Sequence, residues 1–154
     1  MFIVLFEPEI PQNTGNIIRL CANLDCGLIL IEPLGFEISD KQLKRAGLDY
    51  HAQVITEVCT SWAHFCSRYS PQSLWALSTK SQRSYVDARF QKDDFLLFGP
   101  ESRGLPKEIL GSILEENRGL RIPMHPHARS LNLANSVGIV AYEAYRQIGF
   151  PGLV

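Results

Sequence analysis

The chain has 154 residues, 45% of them hydrophobic and 20% charged, and a formal net charge of −1. This is the length of one domain (1–154) with a substantial core, in the composition range of ordinary globular proteins, and the near-zero charge argues against a strongly basic nucleic-acid-binding module. No apolar run reaches the roughly 18 residues of a membrane span, and the start Met1–Glu7 has neither a basic leader nor a small-residue cleavage site, so the expected location is cytoplasmic.

Strands and helices alternate along the chain. Phe2–Phe6 is a short apolar run, read as a buried strand. Asn13 or Thr14 then has the chemistry of a helix cap, and Gly15–Leu24 carries an apolar stripe of Ile17, Ile18, Cys21 and Ala22, ended by Gly27. Leu28–Ile31 is the next strand. Asp40 is placed to cap a short helix with Lys41, Leu43, Lys44 and Ala46, which stops at Gly47. Gln53–Ile55 reads as a strand and Ser61–Tyr69 as a helix with Trp62, Phe65 and Cys66 facing inward. Leu74–Ser78 and Phe95–Gly99 are further strands, and Pro106–Glu115 is a helix with proline in its first turn. Leu120–Met124 is the last strand and Leu131–Ile148 the longest helix, with Leu133, Val137, Val140, Ala141 and Ala144 on its apolar side. The alternation predicts an α/β fold with a mostly parallel sheet and helices on both faces.

Three strand-to-helix corners stand out. They are Pro8–Arg19, with Asn13, Thr14 and Asn16; Phe98–Pro106, with Gly99, Glu101 and Gly104; and Ile122–Asn135, with Ser130 and Asn132 where a helix cap belongs. In an open parallel sheet, ligands lie beyond the carboxyl ends of the strands, where the loops after Phe6, Leu77, Gly99 and Met124 fall. Neither a Gly-x-Gly-x-x-Gly dinucleotide fingerprint nor a phosphate-binding Gly-x₄-Gly-Lys loop is present. The residues alone therefore predict a nucleotide-like ligand held by one composite set of loops.

Cys21, Cys26, Cys59 and Cys66 form no Cys-x-x-Cys pair, and His125 and His127 are too close for a His-x₃₋₅-His pair, so reduced, mostly buried thiols and no metal are expected. The charge is unevenly spread. Residues 78–92 hold Lys80, Arg83, Arg89 and Lys92 against Asp87 alone, and Lys41, Lys44 and Arg45 form a second basic cluster.

The three corners, in this order, resemble the SPOUT class of S-adenosylmethionine-dependent RNA methyltransferases: Asn13…Arg19 its first motif, Phe98-Gly99-x-Glu101-x-x-Gly104 its second, and Ile122-Pro123…Ser130-Leu131-Asn132 its third. Pro8-Glu9-Ile10-Pro11-x-Asn13-Thr14-Gly15-Asn16, Arg45-Ala46-Gly47-Leu48-Asp49-Tyr50-His51 and the minimal length are similar to the subfamily that methylates the 2′-hydroxyl of the wobble cytidine or uridine in certain leucine tRNAs. The resemblance implies a deep C-terminal trefoil knot, an obligate homodimer and S-adenosylmethionine held in the knot, with the tRNA anticodon loop as partner. Alternatives are a relative acting on another RNA position, or a catalytically silent RNA-binding dimer.

Carried over residue by residue, the resemblance places Leu77, Gly99, Gly104, Ile122, Met124, Ser130 and Leu131 around the cofactor. Arg19, Asn13, Glu101 and Tyr142 fall in the catalytic set, and Lys44, Arg45, Arg129 and Asn132 on the RNA. An arginine stays protonated, its pKa exceeding ~12, so Arg19 is read as a clamp on phosphate that orients the hydroxyl.

Overall fold

The computed structural model describes residues 1–39 and 54–154. Within them lie six strands, β1 (Phe2–Phe6), β2 (Gly27–Ile31), β3 (Ile55–Cys59), β4 (Leu74–Leu77), β5 (Phe95–Phe98) and β6 (Gly119–Leu120). Four α-helices accompany them: α1 (Pro11–Leu24), α2 (Trp62–Tyr69), α3 (Lys107–Glu115) and α4 (Leu133–Gln147). The strands form one sheet in the order β3-β2-β1-β5-β4-β6, and every pairing is parallel. The helix expected after Asp40, with Lys41, Lys44 and Arg45, and the start of the third strand at Gln53 lie outside the described residues.

Alternation along the central strand builds two cores. Ile3 and Leu5 turn to one face, where Leu28, Leu30, Leu96 and Phe98 meet Ile17, Ile18 and Cys21 of α1 and Val137, Val140 and Ala144 of α4. Val4 and Phe6 turn to the other, with Ile29, Ile31 and Leu97 against Phe65 of α2 and Ile109, Leu110 and Ile113 of α3. Burial of each such side chain stabilises by about 1.5–3 kcal/mol. Truncating Leu5, 1% exposed in the strand both halves share, costs about 2–5 kcal/mol. Cys21, Cys26 and Cys59 are buried in these cores as free thiols.

Several boundaries differ from the sequence reading, each for a local reason. Helix α1 begins at Pro11, not near Gly15, with Ile10 as its N-cap and no side-chain cap bond. Proline fits the first helical position because its missing N–H would be unpaired there anyway. Asn13 and Thr14 are thus inside the helix, and the Asn13 side chain is released for other work. The helix ends with Asp25 in the left-handed region (φ 53°), so Gly27 opens β2 instead of stopping α1. Pro106 is the cap of α3, not part of it. Strand β3 runs to Cys59, beyond the expected end at Ile55. Strand β6 stops at Leu120, and Arg121 makes only a single bridge to Ser84. Pro123 has no N–H to give a sheet ladder, so the chain leaves the sheet there. Helix α4 starts at Leu133, two residues late, because Asn132 is its cap.

Candidate active site

Strand order reverses between β1 and β5: β2 and β3 lie to one side, β4 and β6 to the other. At the carboxyl end of such a switch the loops diverge and leave a crevice. Here the crevice is a cavity of about 640 Å³, within the range that takes a ligand of cofactor size. Leu77, Ser78 and Lys80 line it from the end of β4, and Gly99, Glu101 and Gly104 from the end of β5. Ile122, Met124, Arg129, Ser130 and Leu131 line it from the segment after β6, and Asn13 and Asn132 line it as well.

Side chains tie the three corners together. Glu101 accepts from the backbone N–H groups of Glu9 (2.8 Å) and Ile10 (3.3 Å) and from Asn13 Nδ2 (2.9 Å). Because a carboxylate only accepts, the Asn13 amide nitrogen faces Glu101 and its oxygen is left for the third corner. Asn132 Nδ2 donates to that oxygen at 2.9 Å. The Asn132 oxygen in turn accepts from Ala134 N (2.9 Å) and Asn135 N (3.3 Å), capping α4. One chain of oriented dipoles thus runs from Glu101 through two amides to a helix N-terminus. Asn13 is buried at 6% exposure, where an unpaired amide would be costly, so the chain is held at both ends.

The Gly99–Gly104 loop closes tightly. A Cβ on Gly99 would sit 2.4 Å from Leu105 N and 2.6 Å from Gly104 C, and Gly104 has φ +68°. Only glycine allows both the approach and the turn. The same loop reaches back to the first corner through residues that sequence reasoning missed. Glu9 accepts from Ser102 N (2.9 Å), Ser102 Oγ (2.7 Å) and Arg103 Nη1 (2.9 Å), and Arg103 also pairs with Glu7. Chiefly the Ser102 hydroxyl, with the Arg103 charge adding, holds the Glu9 carboxyl below the usual carboxylate range. These partners lie more than 90 residues apart, and no local pattern announces them.

The opposite wall is different. Ile122, Met124, Ser130 and Leu131 make no backbone hydrogen bond among the described residues. Arg19 and Tyr142 do not line the cavity. Arg19 lies on the exposed stripe of α1 with Gln12, Asn16 and Asn23, and Tyr142, 47% exposed, is one turn beyond Ile139 on the outer face of α4. Lys44 and Arg45 lie outside the described residues. Among the described residues, no group of three or more His, Cys, Asp or Glu side chains gathers as a metal site would require.

Comparison with known proteins decides the family. The SpoU rRNA Methylase family matches residues 1–142. The chain belongs to that family. The SpoU assignment agrees with the resemblance read from the three corners. A tRNA (cytidine(34)-2′-O)-methyltransferase of Saccharophagus degradans is 55% identical over 97% of this chain and 97% of its own length. A solved structure concerned with the 2-OH methylation of C/U34 on tRNA is 48% identical, with a TM-score of 0.89 over 96% of this chain and 95% of that one. A further neighbour, an AdoMet-bound rRNA methyltransferase from Sinorhizobium meliloti, is 27% identical with a TM-score of 0.81, covering 96% of this chain and 56% of that one. Sequence and fold thus place this α/β chain among methyltransferases.

Proposed function

We propose that this chain transfers a methyl group from S-adenosylmethionine to the ribose 2′-hydroxyl of the wobble nucleotide, C34 or U34, of leucine tRNAs, as a single-domain homodimer in the cytoplasm. The observation that carries the reading is the convergence of all three corners on one cavity, in a chain matched almost end to end by a C34 2′-O-methyltransferase.

The cavity fits the cofactor by its chemistry. Apolar Leu77, Phe98, Ile122, Met124 and Leu131 offer surfaces for a flat purine, and the unpaired backbone groups of Ile122, Met124, Ser130 and Leu131 can read its polar edge. Held there, S-adenosylmethionine would supply an electrophilic methyl on a positively charged sulfur for the ribose 2′-hydroxyl. The protein's part is alignment. Asn13 and Glu101 fix the loops against each other, and Gly99 and Gly104 let the backbone close on the ligand. Asn132, already pairing with Asn13 and capping α4, keeps one amide N–H for substrate.

Arg19 clamps an RNA phosphate and orients the hydroxyl. Its position on the outer face of α1, away from this chain's own cavity, supports a site completed across a dimer interface. Helix α1 packs on α4, whose exposed Ile139 (38%) and Tyr142 offer the apolar surface that a second copy would cover. Lys44, Arg45 and Arg129 supply further positive charge to the anticodon loop. A deep C-terminal trefoil knot completes the reading; β6 pairing β4 on the side away from β5, before α4 returns to α1, supports that path. No helix of the described residues is long and apolar enough to cross a membrane.

The test is transfer of labelled methyl to total tRNA lacking the position-34 modification, with the product nucleotide mapped. A 2′-O-methyl at position 34 of leucine tRNAs is expected. A methyl elsewhere would keep the enzyme class and overturn the wobble assignment. Cofactor and tRNA binding without transfer would point to a silent binder.

A further inference from the structure

Among the described residues, three cationic side chains line the cavity, Lys80, Arg103 and Arg129. Beside a polyanionic substrate all three invite assignment as phosphate contacts. Their surroundings separate them. Lys80 and Arg129 form no ion pair among the described residues, whereas both sides of the Arg103 guanidinium are occupied, one by Glu9 at 2.9 Å and the other by Glu7. Counting both carboxylates, the group formed by Arg103, Glu7 and Glu9 is net negative.

The pairing has a definite geometry. The Glu9 backbone N–H donates to the Glu101 carboxylate, while the Glu9 carboxylate accepts from Ser102 and Arg103. Two carboxylates therefore cross between the same two loops in opposite directions, from adjacent positions on each. Behind Glu9 the chain cannot retreat. Gly35 donates to Pro8 O at 2.9 Å, and even a Cβ at Gly35 would come within 2.7 Å of the Glu9 backbone. The first corner is thus a fixed anchor, and the Gly99–Gly104 loop is the part being held.

We propose that Arg103 is a positioning residue that braces the Gly99–Gly104 wall of the cofactor cavity against Glu7 and Glu9, and that it contacts neither RNA nor cofactor. The proposal rests on the reading of this cavity as the S-adenosylmethionine site. An isolated exposed ion pair contributes little. This one spans two carboxylates with a planar fork and shares Glu9 with two Ser102 donors, so lysine cannot reproduce it. Without Arg103, the loop keeps only the Ser102 bonds to Glu9, and Glu7 and Glu9 lose the cation they share.

The experiment is calorimetric titration of S-adenosylmethionine into the full-length protein, Arg103→Gln, Glu9→Gln and the double variant, with methyl transfer at saturating cofactor and the salt dependence of tRNA binding measured alongside. The expected result is a cofactor Kd raised roughly ten-fold by either single change and little further by the double, because both remove one interaction. The rate at saturating cofactor stays within a few-fold, and the salt slope is unchanged. An unaltered cofactor Kd, or fully additive effects, would overturn the proposal. So would a salt slope reduced by about one with cofactor binding intact, the mark of a phosphate contact. Arg103→Lys and Ser102→Ala, milder changes to the same brace, are expected to give smaller rises in Kd if Arg103→Gln does not fold. If the unsubstituted protein bound no cofactor, the cavity reading itself would fall, and the brace with it.

Discussion

Across the cavity from each other stand two walls of different construction. The wall made by the β1–α1 corner and the Gly99–Gly104 loop is held by side chains, with Glu101, Asn13, Asn132, Glu9 and Arg103 linked through bonds that cross the whole length of the chain. The wall from Ile122 to Leu131 has instead a local turn, Ala128 N donating to His125 O at 2.8 Å, and a longer contact from His127 N to His125 Nδ1 at 3.4 Å. Most of its residues are exposed. The difference teaches where order resides before the ligand arrives. One wall is satisfied by the protein itself and sets the geometry. The other leaves backbone groups of Ile122, Met124, Ser130 and Leu131 without a backbone partner among the described residues, which is how a cavity can be preformed on one side and open to new hydrogen bonds on the other.

The largest effect should come from a residue that does not line the cavity. Arg19→Ala is expected to lower methyl transfer by roughly a hundred-fold or more while leaving cofactor affinity within a few-fold, since the proposed role of Arg19 is to clamp an RNA phosphate and orient the hydroxyl, not to hold the cofactor. Labelled-methyl assays beside calorimetry measure both, and equal losses would make Arg19 part of the cavity instead. Glu101→Ala strikes the ordered wall, leaving two backbone donors and the Asn13 amide without their acceptor. A loss of about 2–3 kcal/mol in denaturant unfolding is expected. Asn132→Ala removes the α4 cap at about 1 kcal/mol, and should be less than additive with Asn13→Ala because the two share a bond.

On the other wall, Leu131→Ala, at a side chain 39% exposed, should change stability by less than about 0.5 kcal/mol yet weaken cofactor binding measurably by removing apolar surface; a reversal of these two readouts would erase the contrast. The smallest expected effect is none at all. The Glu9 carboxyl is held below its ordinary value, so its contribution is present above that value and lost only as pH falls through the lowered one. Cofactor affinity should therefore be flat between roughly pH 6 and 9, as far as this brace is concerned. A slope there would mean that another group gates the loop.

The contrast also explains what could be read from the sequence. Strands β1, β2, β4 and β5 appear within a residue or so of their expected bounds, because each is a short apolar run bounded by polar or glycine residues. The three corners were legible as a composite site because each carries its own local signature of Asn, Gly and Ser. The role of Asn13 was not. As a cap candidate it competed with Pro11, and only the position of Glu101, 88 residues on, decides that its amide serves the site and not the helix end. Glu7, Glu9 and Arg103 were invisible for the same reason, an exposed carboxylate or guanidinium having no periodicity that betrays a distant partner. The shortened β6 turns on Pro123, a signal that was present but outweighed by the apolar run beside it.

The sheet order has a consequence in time. Central strand β1 pairs with β2 after about two dozen residues of chain, but its other neighbour is β5, in register from Phe2↔Phe95 to Leu5↔Phe98. At a synthesis rate of roughly 5–20 residues per second, that edge of β1 waits seconds for its partner to leave the ribosome. Until then an all-apolar strand presents an open row of backbone donors and acceptors, so the nascent chain's demand for chaperone protection should last until β5 has left the ribosome and fall once β5 docks.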